Sequence, residues 1–159
     1  MNVFSILFLG LKEFVVENKP FPKSNLVIYK QNDKGKVLEG AEFALYEDEA
    51  GTVCLQTGVS DENGKVEFTG LLSGRKYYLK ETKAPTGYRV PVDEDGNSIM
   101  TELQICYNPS SKEYTLYVDG NEYDFDAEGA FAFTGTKDAP EITMTVINET
   151  GYLLPQTGS

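Results

Sequence analysis

The sequence predicts an all-β fold, a sandwich or barrel of antiparallel strands, on three observations. Short runs rich in Val, Ile, Tyr, Phe and Thr follow one another from about Asn25 to Glu149. Turn signals separate them at Asp33-Lys34-Gly35, Glu49-Ala50-Gly51, Asn63-Gly64, Ser73-Gly74, Pro85-Thr86-Gly87, Asp95-Gly96 and Asp119-Gly120. No long window carries a helical period.

Taken in order, the elements begin with Val3 to Leu11, the longest apolar run, interrupted by Ser5 and Gly10. It falls far short of the ~20 residues that span a bilayer. With no Lys or Arg ahead of it, it also makes a poor secretory signal. Residues 1–24 therefore read as a linker, with the apolar run a strand remnant of an upstream segment or a truncated leader. Leu26 to Lys30 follows as a strand. Gly58 to Phe68 reads as a hairpin around Asn63-Gly64, and Glu113 to Phe125 as a second around Asp119-Gly120. Between them, Tyr77 to Glu81 and Leu103 to Tyr107 are strand-like. Asp93 to Asn97 invites a calcium-loop reading, but the sixth position is Ser98 and the twelfth Gln104, so it is a solvated acidic turn. Glu47-Asp48-Glu49 reads the same way. Met144 to Asn148 closes the β-module, and residues 150–159 form an exposed tail.

Composition narrows the chemistry. The 159 residues hold 14 Lys and Arg against 25 Asp and Glu, a net charge of −11. That excludes the basic surface that nucleic acid or an anionic membrane requires. There is no His, and the Cys count is two. His-dependent catalysis, His-ligated metals and four-Cys zinc sites are thereby removed, and no cofactor motif is present. Cys54 and Cys106, 52 residues apart in strand-like stretches, read as small buried thiols in preference to a disulfide.

Residues i, i+2 and i+4 of a strand share a face. The face of Leu26 and Ile28 also carries Lys30, that of Tyr77 and Leu79 ends in Glu81, and that of Met144 and Val146 ends in Asn148. Each polar residue either emerges at a strand end into water or meets the others inside. In the second case burial favours a neutral, nucleophilic Lys30 amine and a protonated Glu81. The amine would attack the Asn148 side-chain carbonyl while Glu81 polarises its oxygen and passes protons to departing ammonia, leaving a Lys-Asn isopeptide bond.

Around these residues the chain resembles a known family. Lys30 to Phe43 (KQNDKGKVLEGAEF) resembles the opening of collagen-adhesin B-type (Cna-B, SpaA-like) domains, prealbumin-like modules of Gram-positive surface adhesins and pilins. Tyr77 to Tyr88 (YYLKETKAPTGY) is similar to that family's E-box, Tyr-x-Leu-x-Glu followed by Ala-Pro-x-Gly-Tyr. The resemblance covers about 25–149 and implies an Ig-like or prealbumin-like sandwich, here with an extra hairpin between Arg89 and Lys137. It implies Lys30 as amine donor, Glu81 as catalytic carboxyl and Asn148 as acyl partner.

Leu154-Pro155-Gln156-Thr157-Gly158 is similar to the LPXTG sorting signal that a sortase cuts between Thr and Gly. Pro155 favours the extended shape such an enzyme needs. The hydrophobic stretch and basic end that normally follow are not in this sequence, which suggests a piece of a longer exported protein. Phe21-Pro22-Lys23-Ser24-Asn25 resembles the pilin motif whose lysine accepts the next subunit, with Phe in place of Tyr and a Ser before Asn; an ordinary linker with a solvated Lys23 is the competing reading.

The resemblance thus implies a structural stalk or pilin module at the bacterial cell surface, anchored to the cell wall. Its partners would be a sortase and peptidoglycan or neighbouring pilin subunits. The alternative is an adhesin domain whose Tyr107, Tyr114, Tyr117 and Tyr123 contact host matrix protein or glycan. A turnover enzyme is not expected, since Glu81 acts on its own chain.

Overall fold

The computed structural model describes residues 2–8, 12–18, 22–124 and 131–150. Among them are twelve strands and no α-helix. β1 (Asn2–Phe8) and β2 (Lys12–Asn18) pair antiparallel as a two-stranded sheet. The remaining strands form two sheets. A six-stranded sheet has the order β10 (Asn121–Asp124), β9 (Glu113–Val118), β8 (Met100–Asn108), β7 (Lys76–Lys83), β4 (Glu42–Tyr46), β5 (Cys54–Val59). A four-stranded sheet has the order β11 (Phe131–Thr136), β12 (Ala139–Asn148), β3 (Ser24–Asn32), β6 (Lys65–Leu71).

The two sheets enclose one core. Leu26 and Ile28 of β3, Phe43 and Leu45 of β4, Phe68 of β6, Leu79 of β7, Leu103 and Ile105 of β8, Leu116 of β9, Phe133 of β11 and Ile142 of β12 are all buried. Alternation is clear in β7, β9 and the first half of β12, whereas β3 and β4 bury three residues in succession, Leu26 to Ile28 and Phe43 to Leu45. Ser60, just past the end of β5, ties that strand to the chain between β3 and β4: its Oγ donates to Leu38 O (2.8 Å) and accepts from Ala41 N–H (2.9 Å).

Among the described residues, pairing between strands is antiparallel except at one place. β3 and β12, the first and last strands of the two-sheet body, lie side by side in parallel, with Lys30 opposite Val146 and Asn32 opposite Asn148. The extra hairpin is β9–β10, closed by the two-residue turn Asp119-Gly120, and it widens the six-stranded sheet. The other expected hairpin is corrected. The Asp61 to Gly64 turn is present, with Gly64 N–H donating to Asp61 O, but β5 pairs with β4 and β6 pairs with β3, so this turn carries the chain from one sheet to the other.

The expected burial of the cysteines is corrected as well. Both thiols are free, Cys54 is exposed and Cys106 half-buried. Cys54 opens β5, an edge strand whose residues alternate between exposed and half-buried. Among the described residues, no helix is long and apolar enough to cross a membrane.

Candidate functional site

Lys30 is held by its own backbone. Its N–H donates to Gly64 O (2.7 Å) and its C=O accepts from Leu38 N–H (2.9 Å), which fixes the strand and commits the side chain to the interior, where Lys30 is fully buried. Glu81 comes from the facing sheet, near the end of β7 and opposite Phe43, where β4 and β7 slip out of simple register. Asn148 ends β12 beside β3, two residues beyond the partner of Lys30. The three alternating faces thus end at one place between the sheets, and Glu81 and Asn148 are also buried.

Lys30 Nζ lies 3.6 Å from Glu81 Oε2, longer than a hydrogen bond, and donates to Val146 O at 3.1 Å. Both Glu81 carboxyl oxygens and Asn148 Oδ1 are buried without a hydrogen-bond partner. Burial pushes the Lys30 ammonium down to about 8, against the opposing charge of Glu81. Burial likewise pushes the Glu81 carboxyl up to about 7, against the pull of Lys30 and a weaker pull from the Asn148 amide. An ammonium-carboxylate pair and an amine-carboxylic acid pair hold the same number of protons, so one internal transfer interconverts them. Desolvation raises the energy of the charged form. The neutral form supplies a nucleophile and an acid in one site.

Asn148 has a second contact that no pattern of side chains announced. Its Nδ2 donates to the main-chain carbonyl of Arg89 (2.8 Å). Arg89 follows a turn in which Tyr88 N–H donates to Pro85 O (3.0 Å) and Gly87 adopts the left-handed conformation. Tyr88 Oη accepts from Asn32 Nδ2 (3.3 Å), and Asn32 is the buried neighbour of Asn148 across the parallel pair. The sequence marked Pro85-Thr86-Gly87-Tyr88 as motif and turn, but a backbone acceptor leaves no trace in residue identities.

Beside the site lies a cleft of about 680 Å³ lined in part by Tyr88, Arg89, Pro91, Ile99, Ile147 and Asn148. A smaller one of about 210 Å³ includes Glu81 and shares Pro91, Ile99 and Ile147 with it. Among the described residues, no group of three or more His, Cys, Asp or Glu is placed to hold a metal ion.

The other candidate residues lie apart. Lys23 is exposed in the segment leading into β3. Leu154 to Gly158 fall outside the described residues. Of the tyrosines considered for ligand contact, Tyr114 is buried and its Oη donates to Lys137 O (2.6 Å), while Tyr107 packs on it with ring centroids 4.8 Å apart. Tyr117 and Tyr123 are half-buried. Packing is therefore what the structure shows for Tyr107 and Tyr114.

No curated protein matches the chain. Solved structures do. A C-terminal fragment of the pilus adhesin SpaC from Lactobacillus rhamnosus GG is 22% identical, with a TM-score of 0.57 over 97% of this chain and 60% of the fragment. The open conformation of SpaC from the same organism gives 22% identity and a TM-score of 0.56, over 97% of this chain and 20% of that one. This chain thus spans well under the full length of either, and at such identity the likeness speaks to the fold. A family model described as the SpaA prealbumin-like fold domain matches residues 24–104, which include Lys30 and Glu81 and end before β12. By that match, and by the two-sheet architecture that continues it to Asn148, the chain belongs to the SpaA prealbumin-like fold domain family.

Proposed function

We propose that this chain is a load-bearing module of a Gram-positive surface protein, a pilin or stalk domain, strengthened by an internal Lys30–Asn148 isopeptide bond. The observation that carries the reading is the buried Lys30–Glu81 pair with the Asn148 amide beside it. Burying a Lys and a Glu is costly unless the groups are used or well paired, and here the pair is 3.6 Å apart with both carboxyl oxygens unpartnered. A site built to react explains that cost.

In the reaction, the neutral Lys30 amine attacks Cγ of Asn148. Protonated Glu81 donates to Oδ1 as negative charge develops there, in a site that excludes water. The tetrahedral centre collapses, the Cγ–Nδ2 bond breaks, and Glu81 relays the proton lost by Nζ to Nδ2, which leaves as ammonia. One C–N bond forms and one breaks, with no cofactor and no turnover. The intact mass of the wild type is expected to fall one ammonia short of the sequence mass, and Glu81→Ala to restore it. A wild type at full sequence mass would remove the isopeptide reading.

Attachment at the surface would use the tail. Leu154 to Gly158 carries the sortase pattern, and the similar folds named above belong to a pilus adhesin. Incubation with a sortase and an amine donor is expected to release Gly158-Ser159 and join Thr157 to the amine. Thr157→Ala should abolish the product, and an uncut wild type would refute the anchoring role.

A further inference from the structure

We infer that the turn Pro85 to Arg89 is a positioning device for the cross-linking reaction, with the Arg89 carbonyl holding the Asn148 amide in one orientation for attack; this rests on the isopeptide reading above. A carbonyl oxygen accepts hydrogen bonds and cannot donate them, so it must face the NH₂ end of Asn148. The observed contact is Nδ2 to Arg89 O at 2.8 Å. That orientation leaves Oδ1 without a partner in the interior, where the Glu81 oxygens are also without partners. The Arg89 carbonyl thereby fixes the rotation of the amide while its NH₂ end stays within the influence of the Glu81 carboxyl.

The second observation is the cleft. Asn148 and Arg89 both line the 680 Å³ space outside the site, so ammonia formed at Nδ2 departs into it and away from Lys30. A third observation says what holds the carbonyl in place. Tyr88, next to Arg89, is tied by its Oη to Asn32 on β3. Asn32 is itself fixed, because its Oδ1 accepts from Lys34 N–H (3.0 Å) and Lys36 N–H (2.9 Å). Tyr88 and Asn32 therefore act through Arg89 and touch none of the reacting atoms. Residues of β3, β12 and the turn after β7 meet at this one amide.

The test follows the cross-link after cell-free synthesis of the full chain, by intact mass against time. Tyr88→Phe removes the acceptor with little change of shape, and slower loss of ammonia is expected, by about fivefold for one lost neutral hydrogen bond. A merely structural role for Tyr88 would show elsewhere. In a Glu81→Ala background, where no cross-link forms, Tyr88→Phe is expected to lower the urea midpoint for the lost Asn32 hydrogen bond while the chain stays fully folded under the conditions of the rate measurement. In that same background it should speed hydrogen exchange of the Asn148 side-chain NH₂, observed by NMR. A wild type that never loses ammonia removes both the isopeptide reading and this inference. A wild type that reacts while Tyr88→Phe reacts at the same rate, with unchanged Asn148 exchange, overturns the positioning role alone. A slowed reaction with unchanged Asn148 side-chain exchange also overturns it, because the slowing would then come from stability alone.

Discussion

Lys30 and Glu81 are displaced in opposite directions by the same cause, and that predicts an unusual pH profile once the reaction is blocked. In Asn148→Ala the pair remains but has no acyl partner. Glu81 titrates near 7 when folded against 4.5 for a free carboxyl, so between these values the folded chain holds a proton that the unfolded chain has released. Stability from this group falls as pH rises from about 4.5 to 7. Lys30 titrates near 8 when folded against 10.5. There the unfolded chain holds the extra proton, and stability rises as pH rises from about 8 to 10.5. Urea unfolding of Asn148→Ala, referenced to Asn148→Ala/Lys30→Met/Glu81→Gln, should therefore show a trough between about pH 7 and 8. A difference profile that is flat, or that peaks there, would mean the pair is not desolvated. At this scale much of the site was legible, because alternation alone put Lys30, Glu81 and Asn148 on apolar faces. The Arg89 carbonyl was not legible, since every residue has one. Cys54 was misread for a related reason: an apolar neighbourhood such as Thr52-Val53-Cys54-Leu55 looks the same on an edge strand as on a central one.

Among the elements, the connection from β5 to β6 best shows what turn chemistry can and cannot say. Asn63-Gly64 correctly signals a tight reversal, and a reversal between two strands ordinarily means a hairpin. Here the chain reverses at the margin of the sandwich and enters the opposite sheet. The two strands approach so closely that a Cβ on Gly58 would stand 2.6 Å from Val66 Cγ1. Sheet membership is decided by β3 and β4, far away in sequence, so local pattern is silent on it. The parallel β3–β12 pair was hidden in the same way. Gly64 also has a task that only the folded chain reveals: its φ is +75°, and a Cβ there would lie 2.4 Å from Lys30 O. Gly64→Ala is expected to cost about 2–3 kcal/mol, from the left-handed backbone and the displaced Lys30 strand together. Gly40, at φ +89° with open space around it, supplies the comparison. Gly40→Ala bears the backbone penalty alone, about 1 kcal/mol. Both are to be measured by urea unfolding in the Glu81→Ala background, and equal costs would show that contact with the Lys30 carbonyl does not matter.

For the whole molecule, the parallel pairing of first and last strands decides how tension travels. Pulling the ends of the β-module draws β3 and β12 past each other, loading eight register pairs from Asn25–Glu141 to Asn32–Asn148 in shear. An isopeptide bond between Lys30 and Asn148 removes even that load. Tension entering at Ser24 reaches Lys30, crosses to Asn148 and leaves, so residues 31–147 carry none. The bond also closes a loop of 119 residues, Lys30 to Asn148 inclusive, which by the chain-entropy account written for disulfides stabilises the fold by about 5 kcal/mol. Single-molecule stretching separates these effects. Glu81→Ala is expected to unfold in one step that releases about 400 Å of contour, the extended length of that loop. The wild type should show no such step at any force its handles survive. A wild-type trace with the 400 Å step would mean that the strands alone bear the load and that the buried Lys30–Glu81–Asn148 site serves some other end.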